Sequence, residues 1–81
     1  MIILFNLGVV LLELGRLQEC IAVLERAAVL APGVDTLLKL TVAYGRNGQP
    51  DQARAAFARA RALGPQHPQV VAIARAMAQQ R

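Results

Sequence analysis

Aromatic residues, histidine and cysteine are scarce in this chain. Its 81 residues include no tryptophan, one tyrosine, two phenylalanines, one histidine and one cysteine. A single cysteine can form no internal disulfide, and Cys20 belongs to no spacing that is typical of a metal site. The histidine, His67, lies in a predicted turn before Pro68, with no nucleophile or carboxylate near it in the sequence. We therefore expect no enzyme activity, no metal and no cofactor.

Acidic residues are missing from the last part of the chain. The net charge is +4, but all five acids lie within residues 1–51. A basic segment can indicate nucleic-acid binding, yet the aromatic side chains that stack on bases are absent here, apart from Phe57 on a predicted apolar stripe. We interpret the arginines as a solvated face and keep weak nucleic-acid binding as a minor alternative. These residues are Arg54, Arg59, Arg61, Arg75 and Arg81.

A long hydrophobic run occurs in one place, the N-terminal segment Met1–Leu12. The segment lacks the basic n-region and the cleavage site of a secretory signal. It is too short to span a membrane, Asn6 interrupts it and Glu13 follows it. We therefore expect no membrane association and a cytoplasmic location. Arginine outnumbers lysine eight to one, a coding bias that suggests a GC-rich bacterial source.

An internal repeat organises the chain. Residues 6–32 read as two short amphipathic helices joined by a turn at Gly15, and the pattern returns over residues 39–65. Gly15 returns as Gly48 and Pro32 as Pro65, each 33 residues later. A fixed period of this length is typical of helical or solenoid repeats that stack on one another.

Apolar spacing and stop signals predict five helices. The first helix has a core stripe of leucines at three- and four-residue steps and a second apolar stripe on another face, so it needs cover on both sides. Gly8 lies in its middle, where a small residue lets another helix approach closely. The predicted helices are Ile2–Leu14, Leu17–Leu30, Asp35–Arg46, one from Pro50 to Gly64, and one after Pro68. The core stripe is Leu4, Leu7, Leu11 and Leu14, and the second stripe is Ile2, Phe5, Val9 and Leu12.

These residues resemble the tetratricopeptide (TPR) pattern W-x2-L-G-x2-Y, A-x3-F and P. The departures are Leu4 in place of tryptophan, Cys20 in place of alanine, and a period one residue short. Ankyrin repeats have a similar period, but their T-P-L-H signature is absent. The first copy matches at Leu4, Leu7, Gly8, Leu11, Cys20, Leu24, Ala27 and Pro32, and the second at Leu37, Leu40, Thr41, Tyr44, Ala53, Phe57, Ala60 and Pro65.

The resemblance implies an all-α fold, a right-handed α-solenoid of antiparallel helix pairs. We expect one domain over residues 1–81, with repeat one at 1–33, repeat two at 34–66 and a capping helix at 67–81. It also implies a non-catalytic protein–protein interaction module whose concave groove is lined by the first helix of each pair. By motif position the groove residues are Ile2, Phe5, Val9, Leu12, Glu13, Asp35, Leu38, Lys39, Val42, Arg46, Val71 and Arg75.

The groove residues predict the class of partner. One known use of the TPR groove is a clamp for a C-terminal carboxylate, which would need lysine and asparagine where this chain has Phe5 and Val9. The predicted groove is instead apolar at its N-terminal end and polar at the other, which suits an amphipathic helix or an apolar peptide segment. We expect a protein or peptide partner and no small-molecule substrate.

Self-association is the second expectation. The chain has fewer than three full repeats, and three or more are normally needed for stability. No polar cap covers Ile2, Ile3 and Phe5, and an exposed apolar patch of this kind usually marks an interface. We therefore predict a homo-oligomer, a dimer that buries the first helix. Two alternatives stay open: a structural unit whose groove is filled by its own copy, and a fragment of a longer TPR array.

Overall fold

Five α-helices and their connecting turns make up residues 2–79, the part of the chain that the structure, a computed structural model, describes. The described residues contain no strand. Residues 1, 80 and 81, and with them Arg81 of the predicted basic face, lie outside that part. The helices are α1 (Ile2–Glu13), α2 (Leu17–Leu30), α3 (Val34–Arg46), α4 (Pro50–Leu63) and α5 (Pro68–Gln79).

The helix boundaries follow the predicted stop signals closely. α1 ends one residue earlier than expected and α3 starts one residue earlier, shifts within the usual uncertainty of helix ends. Gly15 and Gly48 have φ angles of 77° and 73°. This left-handed conformation is the common way to close a helix, and glycine adopts it without steric cost. The predicted turn at Gly15 is therefore confirmed.

The helices pack as neighbours in sequence. α1 packs on α2, α3 packs on α4, and α2 and α3 join the two pairs, while α5 has the sparsest contacts, against α4. The all-α architecture of stacked helix pairs is confirmed. Alanine, cysteine and leucine fill most of the core, which lets the helices approach closely. The core consists of Leu11, Leu12, Cys20, Leu24, Ala28, Leu37, Leu38, Leu40, Ala43, Ala56, Phe57, Ala60 and Val70.

Gly8 is the point of closest approach between α1 and α2. A Cβ atom built on Gly8 would lie 2.6 Å from Cγ of Leu24, far inside van der Waals contact. The thiol of Cys20 donates a hydrogen bond to the Gly8 carbonyl oxygen at 3.2 Å. The predicted close approach of another helix at Gly8 is therefore confirmed. Burial raises the pKa of the Cys20 thiol above its ordinary value, because the charged thiolate would lose solvation.

The predicted core stripe of α1 is partly wrong. Leu11 is buried and Leu4 is half-buried, but Leu7 and Leu14 are 45% and 64% exposed. In contrast, Leu40, one period after Leu7, is fully buried, and its helix α3 packs on both α2 and α4. No helix of the described chain lies on the corresponding side of α1. The stripe therefore marks a packing face that has no neighbour within residues 2–79.

A polar contact ties the two repeats together. The Tyr44 hydroxyl on α3 donates a hydrogen bond to the Glu25 carboxylate on α2 at 2.5 Å. Arg59 on α4 lies 3.4 Å from the other oxygen of the same carboxylate. The burial of the phenol and its bond to Glu25 raise the pKa of Tyr44 to about 12. Glu25 thus links three helices and two helix pairs.

Candidate partner-binding surface

The predicted groove residues differ in how much surface they offer. Leu12 and Leu38 are nearly fully buried within the core. They therefore pack inside the helix stack and offer a partner almost no area. The exposed members are Ile2, Glu13, Asp35, Val42, Arg46 and Arg75. The half-buried members are Phe5, Val9, Lys39 and Val71.

An apolar cavity lies beside the N-terminal ends of α1 and α3. Its volume is about 320 Å³, and the predicted groove residues Ile2, Phe5 and Asp35 border it together. The N-terminal ends of α1 and α3 lie on the same side of the molecule because α2 returns the chain to the start of α3. The cavity is lined by Ile2, Phe5, Ala27, Ala31, Gly33, Val34, Asp35, Thr36 and His67.

A polar pair stands at the edge of this cavity. Nε2 of His67 lies 3.3 Å from Oδ1 of Asp35, and the Asp35 side chain is 72% exposed. Nδ1 of His67 accepts a hydrogen bond from the backbone N–H of Gln69, in the first turn of α5. His67 lies between α4 and α5, directly before Pro68, as predicted. Its contact with Asp35 was not predicted, because 32 residues separate the two in sequence.

The remaining charged groove residues have no ion-pair partner within residues 2–79. The ion pairs in that part of the chain are Arg16–Glu19, Arg54–Asp51, Arg59–Glu25 and His67–Asp35. Lys39, Arg46 and Arg75 are outside them, as is the acid Glu13. Two of the C-terminal arginines, Arg54 and Arg59, are therefore engaged with acids of this chain.

The last helix borders a different cavity. Val71 and Arg75 lie around a space of about 320 Å³ together with Arg61 and Pro65 of the α4 end. The structure therefore brings the predicted groove residues together in two places. Ile2, Phe5 and Asp35 meet at one cavity, while Val71 and Arg75 border the other.

A second apolar surface lies on α1 and the turn residue that follows it, and sequence reasoning placed two of its members in the core. We call it the outer stripe and define it as Ile3, Leu7, Val10 and Leu14. Their side chains are 80%, 45%, 49% and 64% exposed, in that order. It is separate from the groove residues of α1, Ile2, Phe5 and Val9. The signal that could have revealed it is the repeat itself, since α3 follows an α2-type helix within residues 2–79 and α1 does not.

Two further observations concern metal ligands and membrane spans in the described part of the chain. Within residues 2–79 no three side chains of histidine, cysteine, aspartate or glutamate gather as potential metal ligands. Each of the five described helices is too short or too polar to cross a lipid bilayer.

Comparison with known proteins places the chain in a family. Two family models described as tetratricopeptide repeat match it, one over residues 2–34 and the other over residues 34–79. No curated protein and no solved structure is significantly similar to it. The second model alone covers more than half of the chain, and together the two cover all of the described helices. The chain therefore belongs to the tetratricopeptide repeat family, whose repeats are non-catalytic modules that mediate protein–protein interactions.

Proposed function

We propose that this protein binds an amphipathic helix or an apolar peptide segment of another protein in the groove formed by α1, α3 and α5. The observation that carries the proposal is the apolar cavity bordered by Ile2, Phe5 and Val34, which lies open beside the first helices of both repeats. Open apolar concavities with a few polar groups at the edge are the usual form of a binding site. Helix-in-groove recognition uses such a surface.

The volume of the cavity limits how much of the partner can enter it. Its volume of about 320 Å³ is at the lower end of the range for ligand pockets. It suits one or two apolar side chains of a partner better than a cofactor. The exposed carboxylate of Asp35 at the edge can accept hydrogen bonds from the partner backbone or from a basic side chain. Beyond the cavity, Lys39 and Arg46 on α3 offer positive charge to acidic groups of the same partner.

Self-association through α1 is the second part of the proposal. The four exposed fractions of the outer stripe together equal about two and a half exposed side chains, whose burial contributes about 4–7 kcal/mol per copy. Two copies would gain about twice that amount, against an association cost of about 4–15 kcal/mol. The two ranges overlap, so a dimer forms only if the association cost lies toward the lower end of its range; a net gain of about 8 kcal/mol would correspond to a Kd of about 1 μM.

Peptide selection tests the groove. Peptides selected from a random display library against the wild-type protein should bind it saturably and should lose binding to the Phe5→Glu and Val9→Lys variants. Val29→Lys is the matched control, because Val29 is 78% exposed on α2 and lies outside the predicted groove. The control variant should bind the peptides as the wild type does.

Two outcomes contradict groove binding. One is a selection that gives no peptide above the background of an empty display. The other is a set of peptides that bind Phe5→Glu as tightly as wild type but fail on Val29→Lys. Circular dichroism of every variant establishes that helix content is unchanged before binding is compared.

A further inference from the structure

We infer that two copies of this chain dimerise through the outer stripe of α1, antiparallel about a two-fold axis, and that this dimer leaves the groove open. The inference rests on the proposed self-association and adds to it the surface, the orientation and the consequence for partner binding. Three observations carry it: the equivalent face of α3 is buried within the chain, the corresponding faces of α2 and α4 are occupied or charged, and the stripe is complementary to itself.

The face of α3 that corresponds to the outer stripe is a helix-binding face within this chain. Thirty-three residues after Leu7 and Val10 stand Leu40 and Ala43, which are fully buried. The helix α3 packs on both α2 and α4. Near the two ends of that face, Thr36, one period after Ile3, borders a cavity with Ala27 and Ala31, and Asn47, one period after Leu14, borders another with Ile21.

The outer stripe is therefore equivalent in the repeat to a face of α3 that is buried by packing and not to one that faces solvent. Its residues are larger and more apolar than their counterparts on α3, where threonine, alanine and asparagine occupy three of the four positions. Exposed leucine, isoleucine and valine in one row on a helix mark an interaction surface.

The faces of α2 and α4 that take the same place in the repeat do not offer cover in a second copy. The face of α2 that packs on α3 is already occupied. The corresponding face of α4 carries Arg54 and Arg61, one period after Ile21 and Ala28. Arg61 belongs to none of the ion pairs within residues 2–79, so placing it on an apolar stripe would remove its charge from water without an acid to pair with, which is costly. The first helix itself contains one charged residue, Glu13, which is outside the stripe.

The spacing of the stripe makes it complementary to itself. Its steps are four, three and four residues, so it reads the same in both directions along the helix. An antiparallel pair about a two-fold axis places Ile3 opposite Leu14 of the other copy and Leu7 opposite Val10. Such isologous contacts are the commonest interface of soluble homodimers.

The antiparallel dimer has a consequence for function. The outer stripe and the groove residues Phe5 and Val9 occupy different faces of α1, so the two surfaces can be filled at the same time. The dimer then presents two grooves. In this arrangement the second copy covers α1 through the outer stripe, so it does not need to fill the groove.

Disulfide trapping tests the surface and the orientation together. The buried native thiol is removed by Cys20→Ala, and Ile3→Cys and Leu14→Cys are introduced into separate chains, one of them labelled with nitrogen-15. Both positions are well exposed, so neither change removes core packing. The two chains are mixed and oxidised with glutathione disulfide, and the products are identified by mass. Disulfides form only where Cβ atoms come within about 3.5–4.5 Å.

The antiparallel dimer predicts that the mixed product, Ile3→Cys joined to Leu14→Cys, exceeds both like-with-like products well beyond the random ratio. Like-with-like products in excess would indicate parallel helices and would overturn the inference. A random distribution would indicate collision without a defined dimer and would overturn it as well.

Sedimentation separates failure of the inference from failure of the proposed function. Wild-type protein should show a concentration-dependent dimer, and Leu7→Glu should raise its Kd at least about tenfold, because a charge then faces the apolar partner stripe. Phe5→Glu should leave the Kd unchanged. A wild-type protein that stays monomeric at high concentration would reject self-association altogether. A dimer broken by Phe5→Glu but not by Leu7→Glu would reject only the outer stripe.

Discussion

Replacing Gly8 with alanine should destabilise the protein, although alanine is the better helix former. In an open helix interior the change gains about 1 kcal/mol. At this site the new Cβ would lie 2.6 Å from Cγ of Leu24, whose side chain is fully buried. Overpacking of this kind costs about 1–3 kcal/mol. Because the overlap involves Cγ as well as a methyl group, we expect a net loss of about 1–2 kcal/mol.

Gly45 provides the matched control within the same chain. It lies in the last turn of α3, and an added Cβ there meets no atom within 4 Å. Gly45→Ala should therefore stabilise the protein by about 0.4–1 kcal/mol. The opposite signs of the two changes separate the contact with α2 from the intrinsic preference of the helix.

Thermal and urea unfolding followed by circular dichroism measure both variants. In a domain of this size 1 kcal/mol corresponds to about 4–8 °C in Tm. Gly8→Ala should lower Tm and Gly45→Ala should raise it. Leu24→Ala alone should cost about 2–5 kcal/mol. In the double variant Gly8→Ala/Leu24→Ala the cost should fall below the sum, because the new methyl group enters the space that leucine left. A Gly8→Ala variant as stable as Gly45→Ala would refute the close approach of α1 and α2.

Three further predictions concern other contacts. Tyr44 is the sole tyrosine, so the ultraviolet absorbance of its phenolate should report a pKa of about 12 in the folded protein, against about 10 when unfolded, and Glu25→Gln should lower the folded value. Because the folded pKa is raised, the stabilisation it represents is fully present below pH 10 and is lost as the pH rises from about 10 to about 12. A folded value near 10 would contradict the contact with Glu25. Gly48→Ala should cost about 1–2 kcal/mol in urea unfolding, because a residue with a side chain then adopts a φ of 73°; stability equal to Gly45→Ala would contradict the left-handed cap. Cys20 should react with a thiol reagent only as fast as the protein unfolds, and rapid native labelling would show that its burial is wrong.

Features that repeat along the chain could be predicted from the sequence. Gly15 follows α1 and Gly48 follows α3, each in the left-handed conformation that closes a helix. Because the two glycines lie 33 residues apart, the repeat identifies both positions from the sequence. Gly8 and Cys20 are small residues at the positions where the two helices of a pair meet, so their size predicts close packing of α1 on α2. Local signals of this kind depend on a few neighbouring residues and are therefore readable without the structure.

Features that depend on the rest of the molecule could not be predicted. Leu7 has the spacing of a core residue, but spacing shows which face of a helix can pack and not whether a neighbour is there to pack on it. Leu12 and Leu38 share the helical phase of the predicted groove residues, yet their side chains are buried. Phase alone does not distinguish a side chain at a surface from one just beneath it. The contact of Asp35 with His67 depends on the path of the chain between α4 and α5.

The most direct test of the account follows dimer and partner binding in one sedimentation velocity experiment, with a fluorescent peptide taken from the display selection. The account predicts that Leu7→Glu sediments as a monomer and carries the peptide with wild-type affinity, whereas Phe5→Glu sediments as a dimer without the peptide. Loss of both properties in the Leu7→Glu variant, or of the dimer in Phe5→Glu, would contradict the claim that α1 serves two separate surfaces.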